Sequence, residues 1–220
     1  MKLIFVVIYR VYGVRDASED VKECKVKAPV KLACAEDLES FNYFTRKNIR
    51  ETLNFGCRQV TWVTPKDGKQ RVDLEDVPYV VNVWVKSGNI AACAVSDAEY
   101  PAEQAFQVLR KCMKSYVGDC KERKFNPNSI TSDVTGSAMS PVYLTNIFND
   151  SKDGHDDNKT MTDVQRQVDD VKAIVETNMT KMLGNTDQID ALAANSEELS
   201  DTSKKFLREA KKANKSCCRR

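Results

Sequence analysis

Two adjacent thiols near the end of the chain are the side chains best placed for covalent chemistry. Cys217 and Cys218 lie in a basic stretch and are followed by Arg219 and Arg220. Cysteines in such a setting beside a membrane are acceptors for reversible acylation, whereas prenylation prefers aliphatic residues after the cysteine. Acylation of both cysteines next to a basic patch would give stable anchoring. We therefore expect lipidation of both, with a palmitate-like acyl group favoured over prenylation and an unmodified tail as the alternative.

The other candidate ligands and nucleophiles are too scattered for an active site. The only histidine, His155, lies in an acidic stretch, and the sequence has no glycine-rich phosphate loop and no nucleophile–base motif. Six cysteines are spread through the chain without a Cys-x-x-Cys pair: Cys24, Cys34, Cys57, Cys93, Cys112 and Cys120. Zinc and a disulfide framework are therefore not expected, and most of these thiols are predicted to be buried. We expect no enzyme, no cofactor and no metal.

The charge pattern changes sign near the end of the chain. Residues 161–203 contain nine acidic and three basic residues, whereas residues 204–220 contain one acidic and eight basic residues. Each base near an anionic membrane contributes about 1 kcal/mol, but a basic helix end also suits the helix dipole. Charge alone leaves these two interpretations open. Bases are not interleaved with aromatic residues, so nucleic-acid binding is not expected.

No apolar run is long enough to cross a bilayer. The longest, Leu3 to Tyr9, falls far short of the roughly 20 residues that a transmembrane helix needs. We interpret it as a buried strand rather than a signal peptide, because no small-residue cleavage site follows it. The protein is thus expected to be cytoplasmic, with peripheral or covalent attachment to membranes.

A narrow apolar stripe with alternating three- and four-residue spacing runs through the last third of the chain. Twelve of its sixteen positions are apolar over about seven heptads, which is typical of a coiled coil. We call these positions the seam: Met161, Val164, Val168, Val171, Val175, Asn178, Met182, Asn185, Ile189, Leu192, Ser196, Leu199, Ser203, Phe206, Ala210 and Ala213. A stripe this narrow needs partner helices. Asn185, beside Gly184, is predicted to be a polar layer that fixes register and partner number, unless the seam slips there.

The amino-terminal half alternates strand-like and helical segments. Strands are predicted at Leu3–Tyr12, Val26–Cys34, Cys57–Val63, Tyr79–Val85 and Ile90–Val95, and helices at Ser40–Phe55 and after Pro101. Gly56 is predicted to end the first helix. The pattern favours an α+β fold with a five-stranded, mostly antiparallel sheet and flanking helices. We divide the chain into a domain at 1–150 with a possible short third helix, a flexible linker at 151–160, a coiled-coil segment at 161–213 and a basic cysteine tail at 214–220.

The sequence resembles R-type, synaptobrevin-related SNAREs with a longin domain, most of all the lipid-anchored kind without a transmembrane helix. The residues that carry the resemblance are Met1-Lys2-Leu3, Ser40-Phe41-Asn42-Tyr43-Phe44, Asp97-Ala98-Glu99-Tyr100-Pro101 with Ala105-Phe106, the seam and the cysteine tail. The resemblance implies a profilin-like longin fold and one long SNARE helix. It also implies a four-helix bundle with three Q-type SNARE helices, in which Asn185 stands where the family has a central arginine.

The resemblance further implies that the longin domain folds back on its own SNARE motif. Phe41, Phe44 and Phe55 are the candidates for this docking surface, with burial in the core as the alternative for each. The expected function is intracellular membrane fusion on the cytosolic faces of Golgi, vesicle and endosomal or vacuolar membranes. The alternative is a non-fusogenic trafficking adaptor or an inhibitory SNARE, which Asn185 in place of arginine and the neighbouring Gly184 make a serious rival.

Overall fold

A mixed sheet between helices forms the body of the molecule. The computed structural model describes residues 2–12, 28–74, 78–153, 174–179 and 199–205. In chain order the elements are β1 (Leu3–Arg10), β2 (Val30–Glu36), α1 (Arg46–Val63), β3 (Lys69–Asp73), β4 (Tyr79–Lys86), β5 (Ile90–Asp97), α2 (Ala102–Glu122), α3 (Val142–Ser151) and β6 (Ile174–Asn178). The strand order is β2-β1-β5-β4-β3-β6, and only β3 and β6 are parallel. The predicted α+β class is confirmed, with six strands instead of five.

The two sheet faces carry separate apolar cores. Alternate residues of β1 divide between them, so that Val6 and Ile8 pack under α2 and α3 while Phe5 and Val7 pack under α1. This alternation is the period of two that a strand buried on both faces requires. Five cysteines, Cys34, Cys57, Cys93, Cys112 and Cys120, are free and buried, as predicted. Cys24 lies outside the described residues.

The first helix begins and ends later than the sequence suggested. It runs from Arg46 to Val63, so Gly56 does not end it, and the predicted strand Cys57–Val63 is its last two turns. Cys57, Val60 and Thr61 are buried at three- and four-residue spacing against the sheet, which explains why the helix continues. Apart from its chain neighbours and the backbone of its own helix, no atom lies within 4 Å of where a Gly56 Cβ would stand, so this glycine marks no tight approach.

The true third strand was missed in the sequence. Lys69–Asp73 has a single valine, Val72, which is fully buried, and its other residues are polar. The strand forms because it pairs antiparallel with β4 on one side and parallel with β6 on the other. The predicted turn at Pro65–Gly68 precedes it, with the Gly68 amide donating to the Pro65 carbonyl at 3.0 Å. The count of five strands before the seam was therefore right, but its third member was wrong.

The sixth strand comes from within the seam. Ile174–Asn178 is extended in this structure, which differs from the prediction of a continuous helix from Met161. Without partner helices this part of the seam cannot pack in a helical bundle. Ile174, Val175 and Thr177 are also β-branched residues, which favour strands. The third predicted helix is present as α3. None of the helices in the described part of the chain has the length and apolar character that a bilayer crossing needs.

Candidate functional site

The first part of the site is the outer edge of β3. An uncovered strand edge presents unpaired backbone donors and acceptors that attract another strand. Here β6 covers the edge in parallel register, from Lys69 opposite Ile174 to Asp73 opposite Asn178. Ile174 packs against the core under α2, and Met179 packs against the core under α1. The seam segment is thus held by backbone pairing and by an apolar contact on each sheet face.

A charged pair lies in the middle of this strand pairing. Arg71 and Glu176 are direct register partners. The Arg71 guanidinium also donates to the Ala98 carbonyl at 2.8 Å and to Asn82 Oδ1 at 3.1 Å. Burial lowers the pKa of Arg71, while the Glu176 carboxylate acts in the opposite direction and favours the charged form. Hydrogen bonds within the sheet therefore hold Arg71 in place, and its positive charge lies opposite Glu176 of β6.

The second part of the site is a polar contact between α1 and residues 199–205. Residues 201–205 are helical, and Ser200 caps them because its Oγ accepts from the Ser203 amide at 3.3 Å. Glu51 Oε2 accepts from the Ser200 amide at 3.1 Å and from the Ser200 and Ser203 hydroxyls at 2.8 Å each. Ser203 Oγ also lies 3.3 Å from Asn48 Oδ1. One carboxylate of α1 thus gathers three donors from the seam region.

The electrostatics of Glu51 favour this docked arrangement. Burial acts to raise the pKa of Glu51, but the hydrogen bonds from Ser200 and Ser203, with a smaller effect of Lys47, outweigh it and lower the pKa overall. Lys47 Nζ lies 3.9 Å from Glu51 Oε1 on the neighbouring helical turn. Hydrogen bonds from uncharged donors to a carboxylate stabilise its ionised form. Docking and ionisation of Glu51 therefore support each other.

Acid is expected to weaken this contact. Because the pKa of Glu51 is lower when docked, its stabilising contribution is complete above the ordinary carboxyl pKa of 4.5 and is lost as pH falls through the lowered value. At neutral pH the contact should not depend on pH. Small-angle scattering between pH 7 and about pH 3 should show expansion of the chain only below the ordinary carboxyl pKa.

The control for the acid experiment is Glu51→Gln. An amide keeps an acceptor oxygen but does not titrate, so the part of the expansion due to Glu51 should disappear. The same acid-induced change in both proteins would show that other carboxylates are responsible.

The described seam residues fall into two groups. Val175 and Asn178 lie in β6, where Val175 remains 56% exposed. Leu199 and Ser203 are 3% and 0% exposed, and the hydroxyl of Ser203 contacts α1. The remaining predicted site residues lie outside the described residues: Met161, Val164, Val168, Val171, Met182, Asn185, Ile189, Leu192, Ser196, Phe206, Ala210, Ala213, Cys217 and Cys218.

The three predicted docking phenylalanines occupy different environments. Phe44 is 87% exposed beside the exposed ring of Tyr43, whereas Phe55 is buried at 6%. Phe41 is half-buried, with its ring centroid 6.3 Å from that of Tyr79. Only Phe44 of the three presents a fully accessible aromatic surface, and Phe55 shows the alternative given for each phenylalanine, burial in the core.

The polar half of the site was not found by sequence reasoning. Asn48 and Glu51 are three residues apart on α1 and so lie on one helical face, but such a pair is typical of any solvent-facing helix. The edge of β3 was missed because four of its five residues are polar. The weak signal that existed was the polar cluster Ser200 to Ser203 inside an apolar repeat.

Family comparisons match both parts of the chain. The family model described as a Regulated-SNARE-like domain, Longin, matches residues 38–136, which include α1, β3, β4, β5 and α2. The Synaptobrevin family model matches residues 160–220, which contain the seam and the cysteine tail. The two matches leave the segment with α3 between them.

Whole-chain relatives agree with these matches. The chain is 31% identical over 191 residues to the Synaptobrevin homolog ykt6 of Schizosaccharomyces pombe, covering 86% of this chain and 91% of that protein. It is 30% identical over 200 residues to the VAMP-like protein YKT61 of Arabidopsis thaliana, covering 90% and 95%. It is 25% identical over 189 residues to the Synaptobrevin homolog YKT6 of Saccharomyces cerevisiae, covering 86% and 90%. With an α+β domain followed by a heptad seam, the chain belongs to the longin-domain R-SNAREs, the synaptobrevin-related proteins of intracellular membrane fusion.

Proposed function

We propose that the seam of this R-SNARE has two alternative partners, its own longin domain and three Q-type SNARE helices. The observation that carries the proposal is the burial of Leu199 and Ser203. Both are seam positions, so a bundle would need the same side chains that are buried here, and Ser203 would have to leave Glu51. A side chain cannot occupy both places at once. Closure therefore competes with assembly, and the longin domain holds the SNARE motif inactive until partners arrive.

The open form assembles by zippering. Successive layers from Met161 toward Ala213 would each bury apolar seam area, at about 25 cal/mol per Å². Asn185 is the proposed central layer, where its amide hydrogen-bonds the glutamines of the partners. Asparagine lacks the charge and the five donors of arginine, so this layer would be held more weakly than one centred on arginine.

The tail is the proposed membrane anchor. Acylation of Cys217 and Cys218, supported by the bases around them, attaches the end of the motif to a membrane, so that zippering pulls two bilayers together. The longin unit, linker, motif and tail would then divide near residues 150, 160 and 213. We place this activity on the cytosolic faces of Golgi, vesicle and endosomal or vacuolar membranes.

Lipid mixing tests the proposed function. Vesicles carrying this chain, coupled through its tail, are mixed with vesicles carrying Q-type SNARE helices, and transfer of a fluorescent lipid is followed. The proposal expects a detergent-resistant complex together with lipid mixing, and both should be lost when the Q-type helices are omitted. A stable complex without lipid mixing would identify an inhibitory SNARE and contradict the proposal.

Removing the two tail thiols is expected to abolish stable membrane association in cells. Cys217→Ser/Cys218→Ser leaves the basic patch but no acyl chain, and electrostatic attraction of about 1 kcal/mol per base is readily reversed by salt. Most of the protein should move from the membrane pellet to the supernatant in a high-salt wash. Cys120→Ser, which changes a buried thiol in α2, is the matched control. Retention of the double variant on membranes would contradict acylation as the anchor.

A further inference from the structure

A groove between α2 and the β4–β5 hairpin lies outside the contacts that hold the seam. Its volume is about 810 Å³, and its floor is apolar. The floor residues include Trp84, Ile90, Met113, Val117 and Phe125. Pockets that take small molecules commonly enclose roughly 300–1,000 Å³ and are mostly apolar with a few polar groups. The groove is therefore of a size to hold one long aliphatic chain.

The rim of the groove is cationic. Arg110, Lys114 and Lys121 contribute from α2, where steps of four and seven residues keep them on one face. Lys86 contributes from the hairpin, and the described residues that line the groove include no carboxylate. All four cationic residues are exposed. An anion above the groove would meet positive charge on both sides.

The cations also surround the aromatic floor. Lys69 Nζ stands 4.4 Å from the centre of the Trp84 ring, and Lys86 Nζ and Arg110 Cζ each stand 6.0 Å from it. Burial, and after it the charge of Arg110, lower the pKa of Lys69, as expected where positive charges crowd together. The indole therefore joins the apolar floor to the charged rim, and it offers a spectroscopic reporter at their junction.

The groove and residues 199–205 lie on different faces of the sheet. Trp84 and Met113 belong to the core under α2, whereas residues 199–205 contact α1, which covers the other face. A ligand in the groove would therefore not compete with the Glu51 contact. The chain belongs to a family that acts on membranes, which puts anionic amphiphiles within reach of this face.

We propose that the groove is a binding site for a single anionic phospholipid. Its acyl chain lies along the floor beside Trp84 and Met113, and its phosphate lies between Lys114, Lys121 and Lys86. Burial of the acyl chain against this apolar floor removes methylene groups from water and stabilises the complex. A partner helix would instead lay repeated apolar anchor residues along a groove, whereas a cationic rim around an apolar floor matches a ligand with one phosphate and one acyl chain. The site would orient the longin domain on a membrane independently of the cysteine tail.

The fluorescence of Trp84 tests the proposal in the full chain. The protein has two tryptophans, so Trp62→Phe leaves Trp84 as the only reporter. The probes are oleoyl lysophosphatidic acid, oleoyl lysophosphatidylcholine and glycerol phosphate, each added below its aggregation threshold. The proposal expects a saturable blue shift with the lysophosphatidic acid, a much weaker response with the choline ester and none with glycerol phosphate.

Charge reversal on the rim supplies the second arm. Lys114→Glu/Lys121→Glu should weaken binding of lysophosphatidic acid at least about tenfold, since each lost base removes about 1 kcal/mol of attraction. Lys111→Glu changes an exposed base of the same helix that does not line the groove and should bind like the parent, and circular dichroism would establish that the variants are folded. Equal responses to the anionic and choline lipids, or unchanged binding by the rim variant, would overturn the proposal. A shift with a glutamate-rich amphipathic peptide and none with the lipid would overturn it in favour of a protein partner.

Discussion

Replacing Glu51 with alanine is expected to release residues 199–205 from α1 and to speed assembly with Q-type SNARE helices. The substitution removes the acceptor of three hydrogen bonds from Ser200 and Ser203. Loss of a charged acceptor for buried donors costs roughly 2–3 kcal/mol, which corresponds to about a 30- to 150-fold shift toward the open form. Gel filtration should show a more extended species, and complex formation should accelerate.

Glu51 lies in α1, outside the SNARE motif. The seam is untouched, so faster assembly cannot come from a better bundle. Glu122→Ala removes an exposed carboxylate at the end of α2 and is the matched control. If Glu51→Ala assembled no faster than Glu122→Ala while both remained folded, the α1 contact would not restrain the motif.

Locking β6 onto β3 is expected to block assembly almost completely. Gln70 and Val175 are register partners, and neighbouring strands lie about 4.8 Å apart, within the range of roughly 4.4–6.8 Å that a disulfide spans between Cα atoms. Gln70→Cys/Val175→Cys should therefore crosslink on mild oxidation. Because a crosslink removes the open population on which binding draws, association with Q-type helices should slow by at least about a hundredfold.

Reductant provides the internal control for the lock. Assembly of the double variant should return on reduction to the rate of Val175→Cys alone, which carries the same change in the seam. A crosslinked protein that still assembled at the parental rate would show that β6 need not leave β3, and the competition between closure and assembly would fail.

Most of the longin fold was predictable because its strands carry their own signal. β1, β4 and β5 are rich in valine, isoleucine and alanine buried on both faces, and Ser87-Gly88-Asn89 marks the hairpin between β4 and β5. The errors fell where local pattern and tertiary context disagree. The last turns of α1 contain β-branched residues, a pattern that is typical of a strand. The residues of β3 are mostly polar, and this segment is a strand because it pairs with β4 and β6.

The site was harder to predict because, in the proposed function, the same residues have two alternative partners. The heptad spacing of Val175, Leu199 and Ser203 describes a bundle with other helices, and nothing in that spacing indicates where these residues lie when the partners are absent. Ile174–Asn178 becomes a strand because an open edge is available at β3. Glu51 is a site residue because it accepts hydrogen bonds from Ser200 and Ser203, which are about 150 residues away in the sequence.

Hydrogen exchange at β3 can show whether the seam leaves the longin domain when the SNARE bundle forms. The amides of Lys69–Asp73 that face β6 are protected only while that strand is paired, whereas those that face β4 belong to the sheet itself. We predict that adding Q-type SNARE helices to the full chain removes protection from the first set and leaves the second unchanged, in step with bundle formation. Full protection of both sets in the assembled complex would contradict the account, because the seam would then engage its partners without leaving the longin domain.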